Sequence, residues 1–270
     1  MTPRALLKQL SDELRDAGVP DPEVDASLLL AYVTGQNALN LRLDSFSHVS
    51  AADEAAFRAL CERRKTRIPL QYLTGVQSFL GRDFLVDERV LIPRPETELL
   101  AERAIALLRA KSPSPAALDL CCGSGCLAIS LALEVPGAQV HASDLSADAI
   151  AVTQENAKRL YAHITTHQGD LFSALAAPMA FDVIVSNPPY IPASDCLHLQ
   201  EEVRREPMMA LDGGADGYDF YRRIAKTAPR FLRAGGTLLM EVGYGQAEGV
   251  MALCQAANLT PVAIHEDYQH

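Results

Sequence analysis

Residues 117–144, ALDLCCGSGCLAISLALEVPGAQVHASD, decide the fold that we predict for this chain. They begin with a short apolar strand, which runs through a glycine-rich turn into an apolar segment of helical length. A second short strand, QVHASD, follows this helix. The order strand, helix, strand predicts a parallel βαβ unit with a right-handed crossover.

The same alternation of helix and strand continues toward the C-terminus. It predicts helices at 96–109, 146–160, 217–232 and 246–258, and strands at 164–170, 181–187, 235–243 and 260–266. This pattern is typical of an α/β fold in which helices cover both faces of a doubly wound, Rossmann-like sheet.

The start of the chain has a different pattern, and it divides the sequence into three regions. Residues 1–75 predict helices only, with a capping box of Ser50 and Asp53 before a long third helix. Residues 76–93 change period around Gly81, which predicts a β-hairpin. We therefore expect a small all-helical domain for substrate recognition at 1–75, a hairpin linker at 76–93 and a catalytic α/β domain at 94–270.

Composition argues against several classes of protein. A net charge of −10 argues against direct nucleic-acid binding, which needs a clustered excess of Lys and Arg. Because the sequence shows neither a signal-peptide pattern nor an apolar run of membrane-spanning length, we expect a cytoplasmic protein without membrane contact. The six cysteines fit neither a zinc motif nor a disulfide framework, which predicts free thiols and no metal site.

A basic run at 63–67, RRKTR, departs from the acidic composition. Cations at the end of a helix interact favourably with the helix dipole. We interpret the run either as a solvated helix end or as a contact to an acidic partner or RNA.

Four polar signals follow predicted strands, at the edge of the sheet where open α/β folds bind ligands. The first is a glycine-rich turn, which lets a ligand approach the backbone closely. The second is Asp144, whose carboxylate can accept both ribose hydroxyls of an adenosine. The third is 170–172, where an acid can meet an adenine amino group and an apolar side chain can cover the ring. These three signals suit NAD as well as other adenosine ligands.

The fourth signal is Asn187-Pro188-Pro189-Tyr190, which follows the predicted strand FDVIVS. Since proline has no N–H, this turn exposes carbonyl oxygens, and a residue before proline is extended. The side-chain oxygen of Asn187 and a proline carbonyl oxygen can accept both hydrogens of one planar NH₂ group, on which Tyr190 packs. We therefore predict a site that aims a planar nitrogen at the methyl group of a sulfonium, with positioning supplying most of the rate gain.

The chain resembles a known family over nearly all of its length. The resemblance is carried by YLTGVQSFLGRDF (72–84), VLIPRPETELL (90–100), DLCCGSGCLAI (119–129), SNPPYIP (186–192) and EPMMALDGGADGYDFYRRI (206–224). These motifs are similar to those of the release-factor glutamine methyltransferases, which are class I S-adenosylmethionine-dependent enzymes. The resemblance implies methylation of the glutamine in the Gly-Gly-Gln loop of peptide chain release factors, with S-adenosylhomocysteine as the second product.

The resemblance also implies roles for individual residues. Those implied to bind the methyl donor are Asp119, Cys121, Cys122, Gly123, Ser124, Gly125, Asp144, Asp170, Leu171, Phe172 and Asn187. Those implied to be catalytic and to bind the glutamine are Asn187, Pro188, Pro189 and Tyr190. Phe79 and Arg94 are implied to line a cleft between the domains, where they contact the substrate.

Two departures from the family keep alternatives open. The family usually has glycine where Cys121 stands, and a cysteine there predicts a negative φ. Related enzymes that act on a ribosomal-protein glutamine often have this cysteine, so that glutamine, or an adenine amino group, is an alternative acceptor. The family's chain also continues past AIHEDYQH into a further strand, which we expect this sheet to lack. Alternatives of another class are an NAD-dependent oxidoreductase and a non-catalytic binding module.

Overall fold

A computed structural model describes residues 1–111, 113–175 and 179–266. The chain forms two compact units. The first contains Met1–Val76 together with Gln200–Arg205, and the second contains Gln77–Leu199 and the chain from Glu206 onward.

The first unit is helical, as predicted. Its helices are α1 (Pro3–Asp16), α2 (Pro22–Thr34), α3 (Ala38–Leu43), α4 (Ala51–Lys65) and α5 (Leu70–Thr74). Leu10, Leu29 and Phe57 meet in its core and are almost fully buried. The Ser50 half of the predicted capping box is confirmed, because the Ser50 hydroxyl accepts a hydrogen bond from the Asp53 N–H at 3.1 Å, whereas the Asp53 carboxylate accepts from the Ser50 hydroxyl at 2.8 Å.

The basic run at 63–67 lies at the end of α4, as one interpretation expected, but Arg63 is the only exposed cation among its four. Arg64 is only 4% exposed and forms ion pairs with Asp25 at 2.7 Å and Glu202 at 2.9 Å. Arg67 also pairs with Glu202, at 2.6 Å. Although burial raises the pKa of Glu202, hydrogen bonds from Arg67 and Arg64 lower it to about 2. These carboxylates are distant in sequence, so the run alone could not indicate that it is paired inside the first unit.

The predicted hairpin is confirmed, and all of it except Val76 lies in the second unit. Its strands are β1 (Val76–Phe79) and β2 (Arg82–Leu85). The rings of Phe79 and Phe84 pack edge to face with centroids 6.1 Å apart, within the core of this unit. The hairpin therefore adds apolar surface to the core that supports the sheet.

The second unit contains a parallel five-stranded sheet with the order β5-β4-β3-β6-β7. Its strands are β3 (Ala116–Leu120), β4 (Gln139–Asp144), β5 (Thr165–Gln168), β6 (Phe181–Ser186) and β7 (Leu232–Met240). Its helices are α6 (Pro95–Arg109), α7 (Cys126–Glu134), α8 (Ala147–Arg159), α9 (Asp219–Thr227) and α10 (Ala247–Ala256). The strand order reverses direction between β3 and β6, which is where such folds bind ligands.

Alternation along β3 explains why helices cover both faces of the sheet. Ala117 packs in the core that includes residues of α6, α7 and α8. Leu118 and Leu120 point to the opposite face, where Ile224 of α9 belongs to the same core. The doubly wound α/β fold is therefore confirmed. Among the described helices, none combines the length and apolar composition needed to cross a membrane.

The predicted strand at 260–266 is wrong. These residues form no regular structure, and the side chains of Val262 and Ile264 are 89% and 50% exposed. No backbone hydrogen bond joins the described part of this segment to β7. A short apolar segment forms a strand only when a neighbouring strand supplies its hydrogen bonds. The sequence alone does not show whether β7 supplies them.

Two histidines stack on the face of the sheet that α9 also covers. The rings of His141 in β4 and His167 in β5 have centroids 5.2 Å apart, and Nδ1 of His141 lies 2.9 Å from Nε2 of His167. Burial lowers the pKa of both rings, and the neighbouring His167 lowers that of His141 further. The folded protein therefore favours the neutral pair.

This pair predicts a pH dependence of stability. A histidine with a lowered pKa stabilises the fold above its ordinary pKa of about 6.5, and this stability is lost as the pH falls through the folded value. We expect His167→Gln to make the urea midpoint less sensitive to a change from about pH 7.5 to about pH 5.5. His163→Gln, at an exposed position, is the control and should keep the wild-type sensitivity. An unchanged pH sensitivity in His167→Gln contradicts this prediction.

Candidate active site

The carboxyl ends of β3 and β6 meet at the point where the strand order reverses. Leu120 lies opposite Ser186, whose hydroxyl donates a hydrogen bond to the Leu120 carbonyl oxygen at 2.8 Å. The next residues are Cys121 and Asn187, so the first and fourth polar signals begin side by side. The second and third signals follow β4 and β5 at the same edge of the sheet.

The turn after β3 adopts left-handed backbone angles. Cys121 has a φ of 61°, so our prediction of a negative φ is wrong. The reason is that the strand must turn here while the Cys122 N–H still donates to the Ser143 carbonyl oxygen, at 3.1 Å. This conformation costs a non-glycine residue about 1–2 kcal/mol. It is the conformation that the glycine usual at this position supplies without strain.

Gly125 requires the absence of a side chain. A Cβ atom there would lie 2.8 Å from the Thr153 methyl carbon, and its φ is +80°. The residue is the N-cap of α7, so the turn passes directly into that helix. The close approach of the turn to α8 therefore explains why glycine stands at this point.

Asp144 is held in place by the backbone at the end of β4. Its Oδ2 accepts from the Gly123 N–H and its Oδ1 from the Ser146 N–H, each at 2.9 Å. Ser146 itself caps α8 by accepting from the Ala149 N–H, so Asp144 is not needed as the cap. Burial raises the pKa of Asp144, and the N–H groups of Gly123 and Ser146 oppose this shift.

Asp119 lies beneath the turn and is fully buried. Its Oδ2 accepts from the Ala128 N–H at 3.1 Å, so it supports the first turn of α7. Burial raises the pKa of this carboxyl to about 8. The structure thus places Asp119 behind the turn, where it is shielded from solvent.

The third signal is divided between the surface and the core. Asp170 is about half exposed and forms an ion pair with Arg223 of α9. Phe172 is 5% exposed, and its ring stacks on Phe231 with centroids 4.8 Å apart. Leu171, between them, is buried with a φ of 49°. Sequence analysis expected an apolar side chain here to cover an adenine ring. In the structure, the Phe172 ring instead faces the core.

The fourth signal leaves several oxygen acceptors free. The Asn187 Nδ2 donates to the Thr97 hydroxyl oxygen at 3.2 Å, and its Oδ1 accepts no hydrogen bond from the described residues. The carbonyl oxygens of Pro188 and Pro189 likewise accept none within the described part of the chain. By contrast, the Tyr190 carbonyl oxygen accepts from Gln246 Nε2 at 3.1 Å. The loop therefore leaves unpaired the oxygens of Asn187, Pro188 and Pro189 that the predicted chemistry needs. The Tyr190 carbonyl oxygen, which that chemistry does not use, is already hydrogen-bonded.

Glycines and Gln246 form the back of this loop. A Cβ atom at Gly213 would lie 2.7 Å from Tyr190 Cα, and one at Gly243 would lie 3.0 Å from the Tyr190 ring. Both polar ends of the Gln246 side chain are used, since its Oε1 accepts from the Gly243 N–H at 3.0 Å. Burial raises the pKa of Tyr190 to about 12, so its hydroxyl stays neutral.

This packing predicts a strong effect of a single methyl group. In Gly213→Ala, the new Cβ would meet the Tyr190 backbone, which cannot move away as a flexible side chain can. We expect kcat for the predicted methyl transfer to fall by about tenfold or more, because misplacing reacting groups lowers the rate steeply. The Kd for the methyl donor should stay within about threefold of wild type. Gly235→Ala is the control for backbone strain without a clash, since its φ is +73° and no atom lies within 4 Å of its Cβ position. Equal kcat values for the two variants would contradict this description of the loop.

The structure also brings to this site residues that sequence analysis did not single out. Glu241, directly after β7, accepts from the Thr97 hydroxyl at 2.7 Å, and Thr97 in turn binds Asn187. Glu206 is 5% exposed and pairs with Arg94 at 2.5 Å. Thr97 and Glu206 lie in the motifs that carried the family resemblance, and no other feature of the sequence pointed to either residue.

The two residues implied to line a substrate cleft differ in their surroundings. The side chain of Arg94 is 30% exposed and is anchored by Glu206, whose Oε2 also accepts from the Ile92 N–H at 2.9 Å. Phe79 is 1% exposed and packs in the core of its unit. In this conformation Arg94 presents a charged surface, whereas Phe79 presents none. Among the described residues, no group of three or more His, Cys, Asp or Glu side chains could hold a metal ion.

The fold and the site together define a Rossmann-like methyltransferase. Residues 5–75 match the family model of the PrmC N-terminal domain, and residues 97–205 match that of the methyltransferase small domain. Among solved structures, a methyltransferase from Pyrococcus furiosus is similar in fold, with a TM-score of 0.52 and 18% sequence identity. The similarity covers 72% of this chain and 87% of that one.

Curated relatives narrow this class to one family. A release factor glutamine methyltransferase from Geobacter sulfurreducens is 44% identical over 93% of this chain and 88% of its own length. One from Chlorobaculum tepidum is 42% identical over 97% of this chain and 92% of its own length. The chain belongs to the release factor glutamine methyltransferase family.

Proposed function

We propose that this enzyme transfers a methyl group from S-adenosylmethionine to the side-chain amide nitrogen of the glutamine in the Gly-Gly-Gln motif of peptide chain release factors. The names of its relatives support this substrate. The observation that carries the proposal is the set of free acceptors at the carboxyl edge of the sheet, formed by Asn187 Oδ1 and the carbonyl oxygens of Pro188 and Pro189. A release factor as acceptor implies that the reaction takes place in the cytoplasm.

The residues at this edge fit the methyl donor. A carboxylate offers about four lone-pair sites, and two backbone N–H groups occupy only part of the capacity of Asp144. Asp144 can therefore accept both ribose hydroxyls, beside the turn at 121–125 and with Asp170 at the neighbouring strand end. When bound, S-adenosylmethionine supplies an electrophilic methyl group attached to a sulfonium.

The loop at 187–190 acts on the acceptor amide. Asn187 Oδ1 and a proline carbonyl oxygen each accept one hydrogen of the glutamine NH₂, which fixes the plane and direction of the nitrogen. Two acceptors on these hydrogens also increase electron density on the nitrogen, which is otherwise delocalised into the amide. As the nitrogen bonds to the methyl carbon it becomes more acidic and loses one proton to solvent, so no strong base is required. The neutral Tyr190 ring packs on the flat group, and positioning supplies most of the rate.

Mass spectrometry of a purified release factor, incubated with the enzyme and S-adenosylmethionine, tests the proposal. We expect one additional methyl group on the glutamine of the Gly-Gly-Gln motif. A release factor with that glutamine replaced by alanine is the control for the site of transfer. Parallel reactions with a large-subunit ribosomal protein and an adenine-containing oligonucleotide test the alternative acceptors. Methylation of one of these, with none on the release factor, contradicts the proposal.

Family membership decides between the classes of function considered from sequence. It favours methyl transfer over an NAD-dependent oxidoreductase and over a non-catalytic binding module. It also supports a protein acceptor over an adenine base, because the curated relatives are named for a glutamine substrate.

A further inference from the structure

The orientation of the Asn187 amide decides whether the loop can hold a substrate NH₂. An asparagine side chain carries one acceptor and one donor end, which have nearly the same shape. The proposed function, on which this inference rests, needs the oxygen end toward the glutamine. If the amide were flipped, its NH₂ would face the substrate NH₂ and neither could accept.

A short hydrogen-bonded chain behind Asn187 distinguishes the two ends. The Thr97 hydroxyl has a single hydrogen, and it donates this hydrogen to Glu241 Oε2 at 2.7 Å. The Thr97 oxygen is then left only as an acceptor, and Asn187 Nδ2 lies 3.2 Å from it. A flipped Asn187 would place its own oxygen against this acceptor, which leaves both without a hydrogen.

We propose that Thr97 and Glu241 are positioning residues that fix the Asn187 amide with its oxygen toward the acceptor glutamine. The direction of the hydrogen bonds is set at Glu241, whose Oε2 accepts the only hydrogen of the Thr97 hydroxyl. Because the Thr97 hydroxyl has donated its hydrogen to Glu241, its oxygen can only accept, and it accepts from Asn187 Nδ2. Neither residue touches the substrate in this arrangement.

The two residues are themselves fixed by the elements that carry them. Thr97 is 2% exposed and lies in the first turn of α6, where its N–H donates to the Arg94 carbonyl oxygen at 3.1 Å. The N–H of Glu241 donates to the Ser186 carbonyl oxygen at 3.0 Å, directly before Asn187 in the sequence. Tyr221 donates to the Glu241 carbonyl oxygen at 3.2 Å. Backbone hydrogen bonds therefore anchor Thr97 in α6 and Glu241 at the carboxyl edge of the sheet.

Several polar and charged groups surround the buried carboxyl of Glu241. Burial raises the pKa of Glu241 above its ordinary value, and the Thr97 hydroxyl, the nearby Asn187 amide and the charge of Arg94 oppose this shift only in part. Glu96, on α6, acts in the opposite direction. Donors thus converge on a buried acid that the proposed chemistry does not use directly.

Thr97→Val tests the inference, because valine keeps the shape of threonine and removes the hydroxyl. We expect kcat for methylation of the release factor to fall about 10–100-fold, with the donor Kd and the KM for the release factor each within about threefold. Thr97→Ser keeps the hydroxyl and should recover at least about half of the wild-type kcat. A packing role predicts the reverse order, since serine loses a buried methyl group that valine keeps.

A measurement on the free enzyme makes the test independent of activity. The side-chain amide resonances of Asn187, assigned by their loss in Asn187→Ala, should shift in Thr97→Val and stay near their wild-type positions in Thr97→Ser. Thr97→Val should also have no further effect on single-turnover rate in an Asn187→Ala background, because the amide that it orients is absent.

The outcomes separate this inference from the proposed function. If wild-type enzyme methylates the release factor but Thr97→Val keeps wild-type kcat and amide resonances, the inference is overturned and the function stands. If wild-type enzyme does not methylate the release factor, the proposed function fails, whatever the amide resonances show. If Thr97→Val lowers the rate further in the Asn187→Ala background, Thr97 does not act through Asn187 and the inference is again overturned.

Discussion

Asn187→Ala is expected to lower kcat for methylation of the release factor by about 10²–10³-fold while the donor Kd rises no more than about threefold. The substitution removes one of the two oxygens that hold the acceptor NH₂ and leaves the turn at 121–125 and Asp144 intact. Since these donor-binding features do not depend on the Asn187 side chain, the loss should fall on the transfer step. Single-turnover methylation with saturating donor, together with calorimetric titration of S-adenosylhomocysteine, measures the two quantities separately.

The control is Asn40→Ala, at an exposed position in the helical unit. It should retain wild-type kcat and donor affinity. Near-normal methylation by Asn187→Ala would end the hypothesis that this side chain holds the acceptor. A large loss of donor affinity would instead show that Asn187 acts mainly on the donor.

Asp144→Asn is expected to have the second-largest effect, on donor binding. An amide in place of the carboxylate presents an NH₂ group to the N–H of Gly123 or of Ser146, and it can accept fewer hydrogen bonds from a ribose. Losing two hydrogen bonds to a charged group weakens binding by about 3 kcal/mol, which is about 100-fold in the Kd for S-adenosylhomocysteine. Isothermal titration calorimetry measures this change.

Asp148→Asn provides the matched control, because it makes the same chemical change at an exposed position in the first turn of α8. Its Kd should equal that of wild type. The free energy of unfolding of Asp144→Asn should be measured alongside, so that weaker binding is compared for folded protein only. A donor Kd within about threefold of wild type would show that Asp144 does not bind the ribose.

The sequence predicted the sheet well where local pattern and burial agree. The predicted strand QVHASD coincides with β4 (Gln139–Asp144), and β3 and β6 follow their apolar runs closely. β3 and β6 are almost entirely buried, so their apolar composition alone distinguishes them from the surrounding sequence. The segment at 260–266 failed because strand formation depends on a partner, and α3 and α5 were missed because helices of one or two turns carry little periodic signal.

The candidate site was predictable in the same limited sense. Parallel strands place their carboxyl ends at one edge, so Asp144 and Asn187 could be assigned to that edge from sequence. The φ of Cys121 was not predictable, because it depends on the hydrogen bond between the Cys122 N–H and Ser143 on the neighbouring strand. Thr97 and Glu241 reach Asn187 from other elements, and only tertiary packing brings such residues together.

A crystal structure of the enzyme with S-adenosylhomocysteine and a release factor tests the central claim most directly. We predict that the nitrogen of the Gly-Gly-Gln glutamine lies about 2.9 Å from both Asn187 Oδ1 and a carbonyl oxygen of Pro188 or Pro189, with the nitrogen facing the sulfur. A structure in which these oxygens point into the protein, or in which the glutamine amide is held elsewhere, would contradict the account.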